Sequence, residues 1–114
     1  MNSGAASLPR GVRLNAQGRF TGKFAHRLQG RWYQVLARPN RLNTARLGLI
    51  VGRRAAARAV DRSLAKRLAR EEFRRVRGGL PGLDVVVRLT SVVARRERSA
   101  ASMELRRLLI GLSA

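Results

Sequence analysis

The chain has 114 residues, with 25 Lys+Arg against 6 Asp+Glu, and carries a formal charge of +19. On one domain's worth of polymer that excess calls for a polyanion, an anionic membrane or a solvated tail, and small acidic ligands do not account for it. A hydrophobic content of 45% is too high for a disordered basic tail and is enough for a modest core, while the absence of cysteine excludes a disulfide framework and a thiolate zinc site.

The opening MNSGAASLPR lacks the basic-then-apolar order of a secretory signal, and no apolar run reaches the roughly 18 residues of a membrane span. A soluble cytoplasmic protein without a membrane partner is expected. Residues 1–9, small and polar up to Pro9, read as a flexible N-terminal tail ahead of a single domain over 10–114. From Arg13 to about Arg27, Leu14, Phe20, Phe24 and Leu28 suggest a short helix, which Gly18 and Gly22 weaken. Arg31–Arg38 and Arg46–Val51 are apolar runs rich in strand formers; the first ends at Pro39-Asn40, and together they read as two strands of a meander. Ala55–Arg77 has no Gly or Pro and is full of strong helix formers, until Gly78, Gly79 and Pro81 end it. Leu83–Leu89, β-branched and bounded by Gly82 and Thr90-Ser91, is expected to be a central buried strand. Ser102–Leu112 reads as a closing helix with Ser102 as N-cap and Glu104 in its first turn. The order suits a two-layer α+β domain.

The long helix carries the charge. Arg62, Lys66, Arg70 and Arg74 stand four apart and form one row of cations, while Val60, Leu64 and Leu68 form an apolar row expected to face the sheet. Arg67 and Arg77 widen the basic face, and Arg53, Arg54 and Arg58 add charge where the helix dipole also favours phosphate. An ordinary solvated face would mix signs; Glu71 and Glu72 would neutralise this one only in part. A face of one sign in a chain already at +19 points to nucleic acid, and a membrane-surface helix would need an apolar anchoring face. Of the basic residues all but Lys23 and Lys66 are arginine, which GC-rich coding favours and which bidentate phosphate binding also favours.

The aromatic residues are few. Phe20 and Phe24 stand one turn apart beside Lys23, a spacing that serves a core or a platform for unpaired bases. Trp32 and Tyr33 belong to the first strand. His26, the only histidine, reads as a surface residue. The six acidic residues fall on separate elements without the close-set pair that two-metal phosphoryl chemistry requires. The sequence therefore offers no catalytic group, no metal site and no small-molecule substrate site of its own.

Ala59 to Arg74, A-V-D-R-S-L-A-K-R-L-A-R-E-E-F-R, resembles the signature of the bacterial ribonuclease P protein family, with Arg62, Lys66, Arg67, Arg70, Glu71, Phe73 and Arg74 in register. R-L-x-x-x-x-x-F-x-x-x-F (Arg13 to Phe24), R-L-G-L-x-V-x-R-R (Arg46 to Arg54) and Leu80-Pro81 with Asp84 to Val87 resemble it too. Two positions depart: Ser63 stands where the family has Asn, and Leu64 where it is often basic. The resemblance implies a four-stranded sheet packed with helices in the order α-β-β-β-α-β-α, with a left-handed β-α-β crossover against the usual rule. It also implies a ribonucleoprotein endonuclease that removes 5′ leaders from precursor tRNA. In that particle the RNA subunit and its Mg²⁺ would do the chemistry, and the protein would lower the Mg²⁺ requirement without binding the metal alone. Arg53, Arg54, Arg58, Arg62, Ser63, Lys66, Arg67, Arg70 and Arg74 would contact the RNA subunit. Phe20, Lys23 and Phe24, with a sheet face bearing Tyr33 or Val35, would hold the leader. A structural or assembly RNA-binding protein, such as a ribosomal one, is the alternative; a DNA-compacting protein is disfavoured because no dimerisation seam or minor-groove arm is evident.

Overall fold

The computed structural model describes residues 24–113. Within them the order is β1 (His26–Gln29), β2 (Tyr33–Pro39), β3 (Arg46–Ile50), α1 (Ala59–Val76), β4 (Leu83–Leu89) and α2 (Arg98–Gly111). The sheet runs β1-β2-β4-β3, with β4 antiparallel to β2 and parallel to β3. Both helices pack on one face, giving the expected two-layer α+β architecture. No helix among the described residues is long and apolar enough to cross a membrane.

β4 is central, as its apolar run requires, but the expected meander is not formed, because β4 lies between β2 and β3. The connection from β2 to β3 crosses the start of β4. There the Asn40 amide donates to the Gly82 carbonyl at 3.1 Å, and the Asn40 side chain accepts from Leu42 N and donates to the Thr44 carbonyl and to Asp84. A Cβ on Gly82 would collide with the Leu42 backbone carbonyl, so the crossing demands glycine. Arg41 takes a left-handed φ of 60° at the corner, which non-glycine residues seldom adopt.

The expected helix over Arg13 to Arg27 is corrected at its end. His26 and Arg27 lie in β1, with Leu28 paired to Val35; the short stretch HRLQ follows the sheet alternation because β2 offers an antiparallel partner one turn away. Residues 13–23 and the tail at 1–9 lie outside the described residues. α1 starts at Ala59 rather than Ala55, since Arg58 is still extended, and Ala56 in the preceding loop is buried in the core.

α2 begins four residues before Ser102, which is an interior residue and not the N-cap. A 3-10 turn, Arg95–Glu97, leads into α2, and there the Glu97 amide donates to the Ala94 carbonyl while its carboxylate accepts from the Ala94 amide. That backbone hydrogen bond, with others from Trp32 and the charge of Arg31, holds the Glu97 carboxyl below the usual carboxylate range.

Glu104 therefore lies in mid-helix, buried, and not in a first turn. Its carboxylate accepts from the backbone amides of Arg31 at 2.6 Å, Trp32 at 3.0 Å and Tyr33 at 3.3 Å. One side chain of α2 thus satisfies the hairpin between β1 and β2, and Gly30 has no room for a Cβ against that carboxylate. On β4, Asp84 accepts two hydrogen bonds from the Arg46 guanidinium, at 2.8 and 3.0 Å. Burial alone would raise its pKa, but the bonds from Arg46 and Asn40 outweigh burial and hold it below the ordinary value.

Replacing Glu104 with Ala leaves the buried Trp32 and Tyr33 amides without acceptors, at about 1–3 kcal/mol for each such group; a loss of about 3 kcal/mol in urea unfolding is expected, with Glu104→Gln losing less. Asp84, whose folded pKa is lowered, contributes stability that is complete above the unfolded value of about 4 and is lost as pH falls through the folded value. Thermal melts taken downward from about pH 5 should show the Asp84→Asn variant losing less stability than wild type over that acid range.

Candidate nucleic-acid interface

α1 does not present the faces that a four-residue spacing suggests. Its buried residues are Ala65, Leu68, Ala69, Glu72 and Phe73, whereas Val60 is 54% exposed and Leu64 only half-buried. Each step of four residues advances about 40° around a helix, so the row Arg62, Lys66, Arg70, Arg74 starts beside the core and rotates away from it. Arg62, Lys66 and Arg70 are half-buried and Arg74 is exposed. The side directly opposite the core is formed by Ser63, Arg67 and Arg74, all exposed.

Arg62 has a structural task. Its guanidinium donates to the Ala56 carbonyl at 3.0 Å and the Ala57 carbonyl at 2.8 Å, holding the loop before α1, where no side chain caps the helix. Arg53, Arg54 and Arg58 are exposed along that loop, with Arg58 3.6 Å from Asp61.

Glu72 is not the surface neutraliser the sequence suggests. It is buried against α2, where it accepts from Arg106 at 2.7 and 3.2 Å and lies 3.7 Å from Arg75. The docking of α2 brings Arg95 and Arg98 beside Arg58, Arg67 and Arg70 around a groove of about 750 Å³, with Val60, Leu64 and Ser63 also lining it. Arg95 and Arg98 were invisible to sequence reasoning, because only the packing of α2 on α1 puts them at this site.

The sheet face named for the leader also changes. Tyr33 and Val35 are fully buried on the side covered by the helices, and the Tyr33 hydroxyl donates to the Ala65 carbonyl of α1 at 2.9 Å. Burial, and then the charge of Glu104, push the Tyr33 hydroxyl far above its ordinary pKa, so it stays a donor. No base can reach either side chain. Alternation along the strands sends Gln34, Leu36 and Arg38 of β2, with Arg88 of β4, to the opposite face. Phe24 lies on that side, its ring centroid 5.1 Å from the Arg38 guanidinium, a distance at which a cation is attracted to the ring face. Arg38 is thus the neighbour of Phe24 on that face, a residue that the sequence did not single out. Phe20 and Lys23 lie outside the described residues. His26 is half-buried in β1, and among the described residues no group of three His, Asp or Glu side chains could hold a metal ion.

A family model described as Ribonuclease P matches residues 8–113. The chain belongs to the ribonuclease P protein family. It is 45% identical over 98 residues to the ribonuclease P protein component of Azoarcus sp., covering 84% of this chain and 82% of that one. It is 42% identical over 106 residues to the component from Chromobacterium violaceum, covering 91% and 88%. Among solved structures, the RNase P protein from Thermotoga maritima in complex with 1-(4-fluorophenyl)-2-thiourea superposes with a TM-score of 0.58 at 33% identity, covering 77% of this chain and 83% of that one. A mutant of the Staphylococcus aureus RNase P protein superposes with a TM-score of 0.65 over 90% and 86% of the two chains; at 20% identity it shares the fold. The family signature and the basic helix are thus one segment, and the helix-sheet packing seen here is the family's architecture.

Arg62→Ala should accelerate amide hydrogen exchange at Ala59–Ser63 and in the loop at 52–58 and lower the melting temperature, whereas Arg74→Ala should leave both unchanged. Equal effects of the two would contradict the structural role of Arg62.

Proposed function

We propose that this chain is the protein subunit of a ribonuclease P ribonucleoprotein, which removes 5′ leaders from precursor tRNA, with hydrolysis carried out by the RNA subunit and its Mg²⁺. The reading rests on one observation above all: the family's signature segment forms a helix whose solvent side, opposite the core, carries arginines and no carboxylate. Arg67 and Arg74, with Arg70 and Lys66 on the flank and Arg53, Arg54 and Arg58 on the preceding loop, supply guanidinium and ammonium groups for phosphates of the RNA subunit. Ser63 donates and accepts from the middle of that surface, with less reach than an asparagine.

The protein's part is electrostatic. Neutralised phosphates where RNA subunit and substrate meet repel each other less, so fewer Mg²⁺ ions are needed to hold them together. Phe24 and Arg38 form the leader contact on the open sheet face, where an aromatic ring stacks on an unpaired base and a cation tracks its backbone; Phe20 and Lys23, outside the described residues, are assigned to the same contact from the sequence. The particle works in the cytoplasm, where precursor tRNA is made.

The test is cleavage of a leader-bearing precursor tRNA by bacterial ribonuclease P RNA at low Mg²⁺, with and without this protein. Rescue of cleavage is expected. Phe20→Ala and Arg38→Ala should weaken binding of leader-bearing substrate several-fold and leave leaderless tRNA untouched. Equal loss for both substrates would refute the leader contact, and tight salt-sensitive RNA binding without rescue would point instead to a structural RNA-binding role.

A further inference from the structure

Two grooves run between α1 and α2. The one toward the end of α1 is lined by charges of both signs, including Glu71, Glu72, Arg75 and Arg106, with Glu72 already satisfied by its arginines. The other has five guanidinium groups, from Arg58, Arg67 and Arg70 on one wall and Arg95 and Arg98 on the other. Its only carboxylate, Asp61, is paired with Arg58.

Arg67, Arg95 and Arg98 are exposed, and no ion pair or side-chain hydrogen bond links them to another described residue. Such a concentration of one sign raises the free energy of the folded chain unless a polyanion occupies it. The groove also has an apolar component, Val60 and Leu64, the two residues whose spacing suggested core. A ribose or base edge fits against such a surface while its phosphates meet the arginines.

We propose that Arg95 and Arg98 are RNA-binding residues, and that the backbone of one strand of the ribonuclease P RNA lies in this groove, held from both helices and not across α1 alone. The proposal rests on the function proposed above. It assigns Leu64 a role that a basic residue at the same position would fill differently: it supplies apolar contact in the floor, while the charge comes from the α2 side. The pairing of Glu72 with Arg106 sets the spacing of the two walls.

The experiment measures the affinity of the full chain for ribonuclease P RNA over a KCl series. Each phosphate contact contributes a slope of about −0.7 to −0.9 in log affinity against log salt. The Arg95→Ala/Arg98→Ala double variant should have a slope shallower by about 1.4–1.8 and a melting temperature no lower than wild type. Arg96→Ala/Arg107→Ala removes the same charge from exposed positions outside the groove and should shift the slope by less than half as much. Equal shifts in the two double variants would mean that net charge and not the groove is read, and would overturn the proposal. So would an Arg95→Ala/Arg98→Ala slope equal to wild type. A wild-type chain that binds this RNA weakly and without a steep slope would remove the function reading itself, an outcome distinct from either.

Discussion

At the contact between α1 and α2 the buried carboxylate of Glu72 accepts two hydrogen bonds from Arg106 and lies near Arg75. A charge taken out of water is tolerated only when it is paired and hydrogen-bonded, so this interaction fixes how the helices meet. The same device recurs twice. Asp84 ties β4 to β3 through Arg46, and Glu104 ties α2 to the first hairpin through three backbone amides. With Asp61 and Glu97 also in ion pairs, only Glu71 of the six acidic residues has no ion pair or hydrogen bond to a described residue.

This use of acid has a direct electrostatic consequence. Glu72, Asp84, Glu97 and Glu104 join elements of the fold, and little negative charge is left to offset the arginines outside. The surface is more uniformly basic than the composition requires, and the basic residues concentrate where α1 and the start of α2 converge. If the groove holds RNA as proposed, folding and RNA affinity are coupled through charge, since a polyanion there relieves the repulsion among these arginines. The sheet face opposite the helices carries Phe24 beside Arg38, with Arg88 farther along the strands, a different mixture of cation and ring. The proposed function gives these two surfaces different tasks, backbone capture by the helices and stacking by the sheet.

Much of the fold was legible in the sequence because local composition decided it. Most of the uninterrupted Ala55–Arg77 stretch, from Ala59 on, is the expected helix, and Leu83–Leu89, apolar at five of seven positions, could be stable only inside a sheet. The basic segment that carries the family signature was equally plain. The errors share a cause. Val60, Leu64 and Leu68 repeat every four residues, and four is close enough to the helical period to look like a seam but drifts off it by about 40° per step, so only Leu68 of the three is in the core, joined by Ala65, Ala69 and Phe73. Tyr33 and Val35 were assigned to the wrong face because alternation along a strand shows that two faces exist without showing which one the helices cover.

By itself the sequence determined the α+β class, the positions of α1 and β4, the excess of positive charge and the family, since these depend on residue type and near-neighbour spacing. The tertiary structure alone decided that β4 separates β2 from β3, that Glu72, Asp84 and Glu104 are internal clamps, that Arg62 holds a loop, and that Arg95 and Arg98 stand across a groove from Arg67 and Arg70. Each of these joins residues far apart in the chain, and such pairings depend on which elements pack together, a choice made by the whole core rather than by any segment of it.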